Sequence, residues 1–196
     1  AKADQYICHS QYAFAYKYAT KTAIYVTQYL SSESVGSYAR KNAFKQDPKI
    51  PKQHAARLAD YKNSDCNGAR CDRGHLASAQ DFTACESCLA ESFYLSNIVP
   101  QNYKNNQVIW KYLENKTRLY AMQRPIYVIT GPVYAKPNYL LMGGRVAIPD
   151  KLFKVLIDPA TGKSIAFMVD NVDLPVGSLN GLVVSIARVE EATGII

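Results

Sequence analysis

The sequence lacks any long apolar run, and this absence limits the kind of protein it encodes. No stretch of about 18 consecutive apolar residues occurs, so no membrane-spanning helix is expected. The N-terminal residues include no Met and no apolar signal region and are interpreted as a mature or trimmed end. Internal repeats, low-complexity segments and an evident interdomain linker are also absent. Residues 1–196 are therefore expected to form a single domain with a substantial core.

Acidic residues are outnumbered, which gives the chain a basic character. Sixteen Asp and Glu compare with 23 Lys and Arg, for a net charge of +7. Positive charge raises encounter rates with polyanions and supplies salt-dependent affinity for nucleic acid, although many soluble proteins are also basic. Histidine is scarce, with three in the chain. His9 and His54 have no chemically suggestive neighbours, so His75 is the candidate proton acceptor.

Cysteine occurs in an odd number, so at least one thiol has no partner within a monomer. Besides Cys8 there are two close pairs: Cys66 and Cys71, then Cys85 and Cys88. Four thiolates at this spacing can form a structural Zn2+ site. Alternatively, two disulfides can restrain the loops that flank residues 72–75. Disulfides are favoured, because the chain otherwise looks like a secreted enzyme, and a secreted or periplasmic bacterial location is expected.

Hydrophobic patterning predicts an α+β fold built on a central antiparallel sheet with flanking helices. Strands are predicted over residues 11–18, 21–30, 72–77, 126–130, 145–148, 152–158 and 164–169. Apolar residues at helical spacing predict a principal helix over 105–122, ended by Pro125. A short terminal helix is expected between Ser185 and Gly194, and a long polar loop over 46–68.

The segment Asp72-Arg73-Gly74-His75 carries a strong chemical signal. On a strand, Arg73 and His75 project to one face and Asp72 to the other. Arg73 can neutralise a phosphate, and His75 can take a proton from an attacking water near neutral pH. Gly74 leaves room for a substrate strand to approach the backbone. The alternative interpretation is an ordinary exposed turn.

An asparagine cluster follows at the start of the predicted helix. Its members are Asn97, Asn102, Asn105 and Asn106. Amide oxygens suit hard cations, and Mg2+ keeps most of its waters, so one oxygen from Asn106 could suffice as a protein ligand. Glu114 lies about 80° round an ideal helix from Asn106, near enough in direction to bond a water held by the metal. Helix capping is the simpler role for the other asparagines near this helix start.

Three ordered segments resemble the DNA/RNA non-specific endonuclease family, of the Serratia nuclease and endonuclease G type, within the ββα-metal superfamily. They are Asp-Arg-Gly-His-Leu-Ala at 72–77, Tyr-Leu-Ser-Asn-Ile-Val-Pro-Gln at 94–101 and Asn-Asn-Gln-x-x-Trp-x-x-Leu-Glu at 105–114. Later segments also match, so the resemblance covers essentially the whole chain. It implies a sheet that carries a ββα-metal (His-Me finger) active-site motif.

The resemblance implies roles for the matching positions. His75 corresponds to the general base, Asn106 to the sole direct protein ligand of Mg2+, for which Mn2+ can substitute, and Glu114 to an acid that orders the metal's waters. Arg73 corresponds to a residue near the scissile phosphate, and Asn97 to a polar support beside the active site. Arg40 resembles the arginine that stabilises the transition state, so both arginines are expected to bind substrate.

The implied activity is magnesium-dependent, largely sequence-independent cleavage of DNA and RNA that leaves 5′-phosphate and 3′-hydroxyl ends. The expected partners are nucleic acids rather than a membrane, and a protein inhibitor and a homodimer are both compatible with the pattern. Two alternatives stay open: a non-catalytic nucleic-acid-binding module that keeps the fold, and a delivered toxin nuclease with an immunity partner.

Overall fold

A seven-stranded antiparallel sheet is the frame of the computed structural model, which describes residues 2–62, 65–66, 68–134 and 139–195. The strands are β1 (Gln5–Cys8), β2 (Tyr12–Lys17), β3 (Thr22–Leu30), β4 (Cys71–His75), β5 (Ile98–Asn102), β6 (Ile126–Val133), β7 (Leu141–Met142), β8 (Val146–Ala147), β9 (Lys151–Ile157), β10 (Ser164–Asp170) and β11 (Val183–Val184). In the large sheet their order is β1-β2-β3-β6-β9-β10-β11. The predicted α+β class with an antiparallel sheet is therefore confirmed.

Among the described residues, the helices are fewer than the strands. They are α1 (Glu86–Glu91), α2 (Tyr103–Asn105), a π-helical segment (Asn106–Trp110), α3 (Lys111–Ala121) and α4 (Ile186–Thr193). Short 3-10 turns lie at Ser32–Ser34, Leu58–Asp60, Ala79–Phe82, Leu95–Asn97 and Val176–Leu182. Ser185 caps the start of α4 through its side chain, and Gly194 ends it with a φ of +63°. No helix among the described residues is long and apolar enough to cross a membrane.

Most predicted elements are present, and the missed ones have a physical explanation. The patterns do not predict β1, β5, β7, β11 or α1. All five residues of β5 are buried, so it shows no polar–apolar alternation, and it contains Pro100. The principal helix begins at Tyr103, two residues before its predicted start, and its π-helical part interrupts the regular winding. Residues 63, 64 and 67 of the predicted long loop lie outside the described residues.

A two-stranded sheet and the helix that follows it form a strand–strand–helix unit. Strands β4 and β5 pair antiparallel, with Arg73 opposite Pro100 and His75 opposite Ile98, and the chain then enters α2. Trp110 is 1% exposed and belongs to the largest core cluster, where Ile109 and Leu113 also pack with side chains of the large sheet. Packing in this core holds the principal helix against the large sheet and so sets the position of the helix relative to β4.

Disulfides occupy the four clustered cysteines. Cys66 bonds Cys71 at the start of β4, and Cys85 bonds Cys88 at the start of α1. Cys8 is free and exposed. The structural Zn2+ alternative is therefore wrong for these residues, because their sulfurs are already bonded to each other.

Candidate active site

A polar cleft of about 390 Å³ lies between β4 and the principal helix. Five residues singled out from the sequence line it: Arg40, Arg73, His75, Asn106 and Glu114. They come from a loop, a strand and two turns of a helix, so the fold assembles them from distant parts of the chain. Sequence reasoning did not single out other lining residues: Ser78, Gln107, Lys111 and Arg118.

His75 is held in the cleft wall by aromatic packing. Its ring meets the Phe93 ring edge-on at a centroid distance of 5.1 Å and the Phe44 ring at 5.6 Å. Burial lowers the pKa of His75 to about 3, and the positive charge of Arg40 acts in the same direction. Its Nε2 is buried and has no hydrogen-bond partner among the described residues. The imidazole is therefore neutral at physiological pH.

The rings of the same two phenylalanines contact the guanidinium groups of the two arginines. The Arg73 guanidinium lies 4.6 Å from the centroid of Phe44, and that of Arg40 lies 5.3 Å from the centroid of Phe93. Cation–π attraction of this kind orients the guanidinium without consuming its hydrogen-bond donors. The two rings thus position both cationic groups around the imidazole of His75.

The loop that bears Arg40 and Phe44 is tied to the protein by its backbone. Lys45 N donates to the carbonyl of Phe93 at 3.2 Å, and Leu95 N donates to the carbonyl of Lys45 at 2.9 Å. This pairing brings Phe44 next to Phe93 although 49 positions separate them in the sequence. The position of Arg40 in the cleft therefore depends on a tertiary contact that no local motif encodes.

Asn106 is oriented by a carboxylate. Its Nδ2 donates to Asp72 Oδ2 at 2.9 Å, and Gln107 Nε2 donates to the same oxygen at 2.7 Å. An ionised carboxylate only accepts hydrogen bonds, so the amide nitrogen must face Asp72 and Oδ1 must point away from it. Asp72 thus joins β4 to the start of the principal helix and sets the orientation of the Asn106 amide.

The donor set fits a hard cation with few protein ligands. The described residues contain no group of three or more His, Cys, Asp or Glu that could hold a metal. Asn106 instead offers an amide oxygen that no described residue engages, and Glu114 lines the same cleft. Mg2+ requires few protein ligands because it retains most of its waters. These residues therefore fit the magnesium expectation but not a site built from thiolates or several imidazoles.

Glu114 is a half-buried acid whose pKa lies above its usual range. Burial raises the pKa of Glu114 to about 7, against the lowering effects of Lys154 and Arg118. Ser78 Oγ donates to Glu114 Oε2 at 3.3 Å. This carboxyl is therefore poised to lose its proton near neutral pH.

A buried ionic network surrounds Glu114, and sequence reasoning missed it. Arg118 Nε lies 3.1 Å from Asp81 Oδ1, and the Arg118 Nη2 donates to Ser78 Oγ at 3.3 Å. Lys154, 3% exposed, donates to Thr130 Oγ1 at 2.7 Å. The spacing of Arg118 four residues after Glu114 was a usable signal, because residues i and i+4 share a helix face.

Two residues of the motifs, Asn97 and Gly74, contribute to packing and backbone hydrogen bonding and do not line the cleft. Asn97 has no exposed surface; it accepts from Ala77 N and donates to Ala77 O, both at 2.9 Å. Asn97 therefore does not line the cleft, and it holds the backbone of Ala77, two residues after His75. A Cβ at Gly74 would lie 2.7 Å from Gln101 Cβ, so this glycine admits a neighbouring side chain and not a substrate strand.

Comparison with known proteins gives a consistent picture. The sequence model of the family described as DNA/RNA non-specific endonuclease matches residues 1–196. The mitochondrial nuclease EXOG of Xenopus laevis is 38% identical over 169 residues, covering 80% of this chain and 45% of that protein. The mitochondrial endonuclease G of Homo sapiens is 31% identical over 202 residues, covering 94% and 66%. This chain thus spans about half the length of the Xenopus relative.

A solved structure agrees with the sequence relatives. The structure described as the EndoG/EndoGI complex, on the mechanism of EndoG inhibition, aligns with a TM-score of 0.86 at 26% identity. The alignment covers 98% of this chain and 85% of that one. The expected secreted or periplasmic bacterial location is wrong, because the relatives are named as mitochondrial nucleases. Disulfides indicate an oxidising environment, but they do not identify which compartment supplies it.

Proposed function

We propose, from the premise that this chain belongs to the DNA/RNA non-specific endonuclease family, that it hydrolyses phosphodiester bonds of DNA and RNA. The observation that carries the proposal is the convergence of His75, two arginines, Asn106 and Glu114 on one cleft. An imidazole, two cationic side chains and a free amide oxygen are the groups needed to activate water beside a phosphate. We take residues 1–196 as the single nuclease domain.

Asn106 is the residue that would hold the divalent cation. Mg2+ bound there, or Mn2+ in its place, would offset negative charge on a nonbridging oxygen and on the leaving 3′ oxygen of the phosphate. Glu114 would add a carboxylate to the same side of the cleft, and in ionised form it would bond a water of the cation's shell. Asp72 keeps the amide of Asn106 in the orientation that this role requires.

His75 acts as the general base. Its neutral form can accept a proton from water, and because Nε2 is buried, Nδ1 is the nitrogen that a water in the cleft can reach. Burial depresses the proton affinity of the ring, and the charge of Arg40 lowers it further. A bound phosphate offsets that charge, so substrate binding raises the proton affinity when the base is needed.

Arg40 and Arg73 bind the phosphate and stabilise the added charge of the transition state. Contacts to phosphate carry little sequence information, which supports largely sequence-independent cleavage. Attack of water on phosphorus with departure of the 3′ oxygen leaves 5′-phosphate and 3′-hydroxyl ends. By analogy with the EndoG/EndoGI complex, we also propose a protein inhibitor as a partner; a homodimer stays a prediction.

A plasmid nicking assay tests the proposal. Supercoiled DNA and a structured RNA are incubated with the wild-type protein in Mg2+, in Mn2+ and in EDTA. Cleavage in either metal but not in EDTA supports the proposal. Binding of both nucleic acids with no cleavage in any metal would identify the protein as a non-catalytic binding module instead.

A further inference from the structure

Arg70 and Tyr103 form an exposed cation–π pair at the end of the two-stranded β4–β5 sheet. The Arg70 guanidinium lies 4.4 Å from the ring centroid of Tyr103. The Arg70 side chain is 72% exposed and Tyr103 is 39% exposed. A planar cation therefore rests on an aromatic ring, while much of its surface stays open to solvent.

Hydrogen bonds and a disulfide restrain the backbone beneath this pair. Tyr103 N donates to Arg70 O at 3.0 Å, which continues the pairing of β4 with β5 by one position. The Cys66–Cys71 disulfide closes the loop that carries Arg70, and Asn102 Nδ2 donates to Cys66 O at 2.7 Å. The side chain of Asn102 also caps α2, which begins at Tyr103. Both members of the pair are thus preorganised.

Asp72 connects the pair to the proposed cation ligand. Its Oδ1 lies 3.8 Å from Arg70 Nη2, and its Oδ2 accepts from Asn106. Arg70 is two residues from Asp72, about 7 Å along an extended strand. Tyr103 precedes Asn106 by three residues, so the two side chains lie on the same side of the helix. A nucleic-acid strand with its phosphate in the cleft would therefore pass close to the pair.

We propose that Arg70 and Tyr103 form a stacking platform for an unpaired nucleobase next to the scissile phosphate, an inference that rests on the proposed nuclease function. Bases stack on aromatic rings and on guanidinium planes, and each such contact is worth about 1–3 kcal/mol. In a duplex, the neighbouring bases already cover both faces of a base. The platform therefore favours single-stranded DNA or RNA, or a duplex with a locally unpaired base.

The rival explanation is a simple charge contact between Arg70 and a phosphate. Such a contact would accept any cation and would serve duplex and single strand alike. Stacking instead requires a planar group, which Lys does not supply. The substitutions Arg70→Lys and Tyr103→Leu therefore separate the two explanations, and Tyr103→Phe retains the ring. Tyr112→Leu is a matched control, because Lys116 lies 5.3 Å from the centroid of that exposed ring in a similar pair.

Binding is measured by fluorescence anisotropy in EDTA, with a single-stranded oligonucleotide and its duplex, so that cleavage does not interfere. We expect Arg70→Lys and Tyr103→Leu to weaken single-strand binding about five- to hundredfold. Duplex binding should change by less than about twofold in both, and Tyr103→Phe and Tyr112→Leu should bind as wild type does. A 2-aminopurine base in the oligonucleotide should be quenched by the wild-type protein but not by Tyr103→Leu.

Three results would overturn the platform. The first is an Arg70→Lys variant that binds single strands as tightly as wild type does. The second is an equal loss of affinity for the single strand and for the duplex. The third is that no variant differs from wild type in binding. Thermal unfolding of each variant excludes misfolding as the cause of a loss. Because binding is measured without metal, a wild type that binds as expected but never cleaves would remove the nuclease proposal and leave the stacking result interpretable.

Discussion

Asn106 and Asp72 are joined by a hydrogen bond of 2.9 Å from amide nitrogen to carboxylate oxygen, and this bond decides which end of the amide faces the cleft. Gln107, the next residue, donates to the same oxygen. Both residues lie in the π-helical segment, which winds more widely than an α-helix and allows two consecutive side chains to reach one acceptor. Interruptions of this kind are frequent at functional sites.

Replacing Asp72, the acceptor, should therefore weaken metal binding without removing Asn106, the proposed ligand. Asp72→Asn allows the amide of Asn106 to turn over, so the midpoint of a Mg2+ titration of nicking should rise about 10- to 100-fold. Asn106→Ala should abolish metal-dependent cleavage. Gln107→Ala is the control, because it removes the second donor to Asp72 and keeps the orientation of Asn106. A midpoint that does not move in Asp72→Asn would show that this contact does not orient the ligand.

His75→Ala should remove the proposed general base. Turnover is expected to fall about 10²- to 10⁴-fold, because no other side chain replaces the proton acceptor. The dissociation constant for DNA in EDTA should stay within about threefold of the wild-type value, since the arginines are retained. Steady-state nicking and anisotropy on one preparation provide both numbers, and His54→Ala serves as a control. Near-wild-type turnover would disprove the assigned role.

Phe44→Leu should impair catalysis through position rather than through contact with substrate. The ring lies against His75 and under the guanidinium of Arg73, and Leu offers no face for the cation. We expect kcat to fall about 10- to 30-fold, because about 1 kcal/mol of orienting interaction is lost for each partner. Phe44→Tyr keeps the face and should restore most of kcat. Equal activity of the Leu and Tyr variants would exclude the orienting role.

The protonation of Glu114 predicts a pH-dependent stability. Its pKa is raised from 4.5 to about 7 in the folded protein, so the neutral acid stabilises the fold below pH 4.5, and this stabilisation is lost as the pH rises through 7. The free energy of unfolding of Glu114→Gln relative to wild type should therefore increase by about 3 kcal/mol across that range. His75 has the opposite effect, since its lowered pKa destabilises the fold as pH falls below 6.5, but it is present in both proteins and cancels.

Urea titrations from pH 4 to pH 8 in EDTA measure this difference. Glu33→Gln, at an exposed acid, is the matched control and should show no such trend. A difference between Glu114→Gln and wild type that is flat with pH would show that Glu114 titrates normally in the folded state.

Local sequence signals were sufficient for the fold class and for the central residues of the site. Strand alternation brings Arg73 and His75 to one face, and helical spacing brings Asn106 and Glu114 to one side of a helix, because both depend on neighbours within a few positions. Strand β5 was not predicted, because its complete burial removes the alternation of polar and apolar residues by which a strand is recognised. The buried charged residues Asp81 and Lys154 were not predicted, because a sequence does not distinguish a buried charge from a surface charge.

The sequence by itself determined an antiparallel α+β protein with a basic, phosphate-directed motif, since periodicity and residue chemistry are local properties. Only the tertiary structure decided that Arg40 reaches the cleft, that Asn97 is buried away from it, and that Asp72 orients Asn106. It also decided the protonation of His75 and Glu114. Desolvation and long-range contact depend on which distant segments pack together, and that is set by the register of the sheet and the closure of its loops.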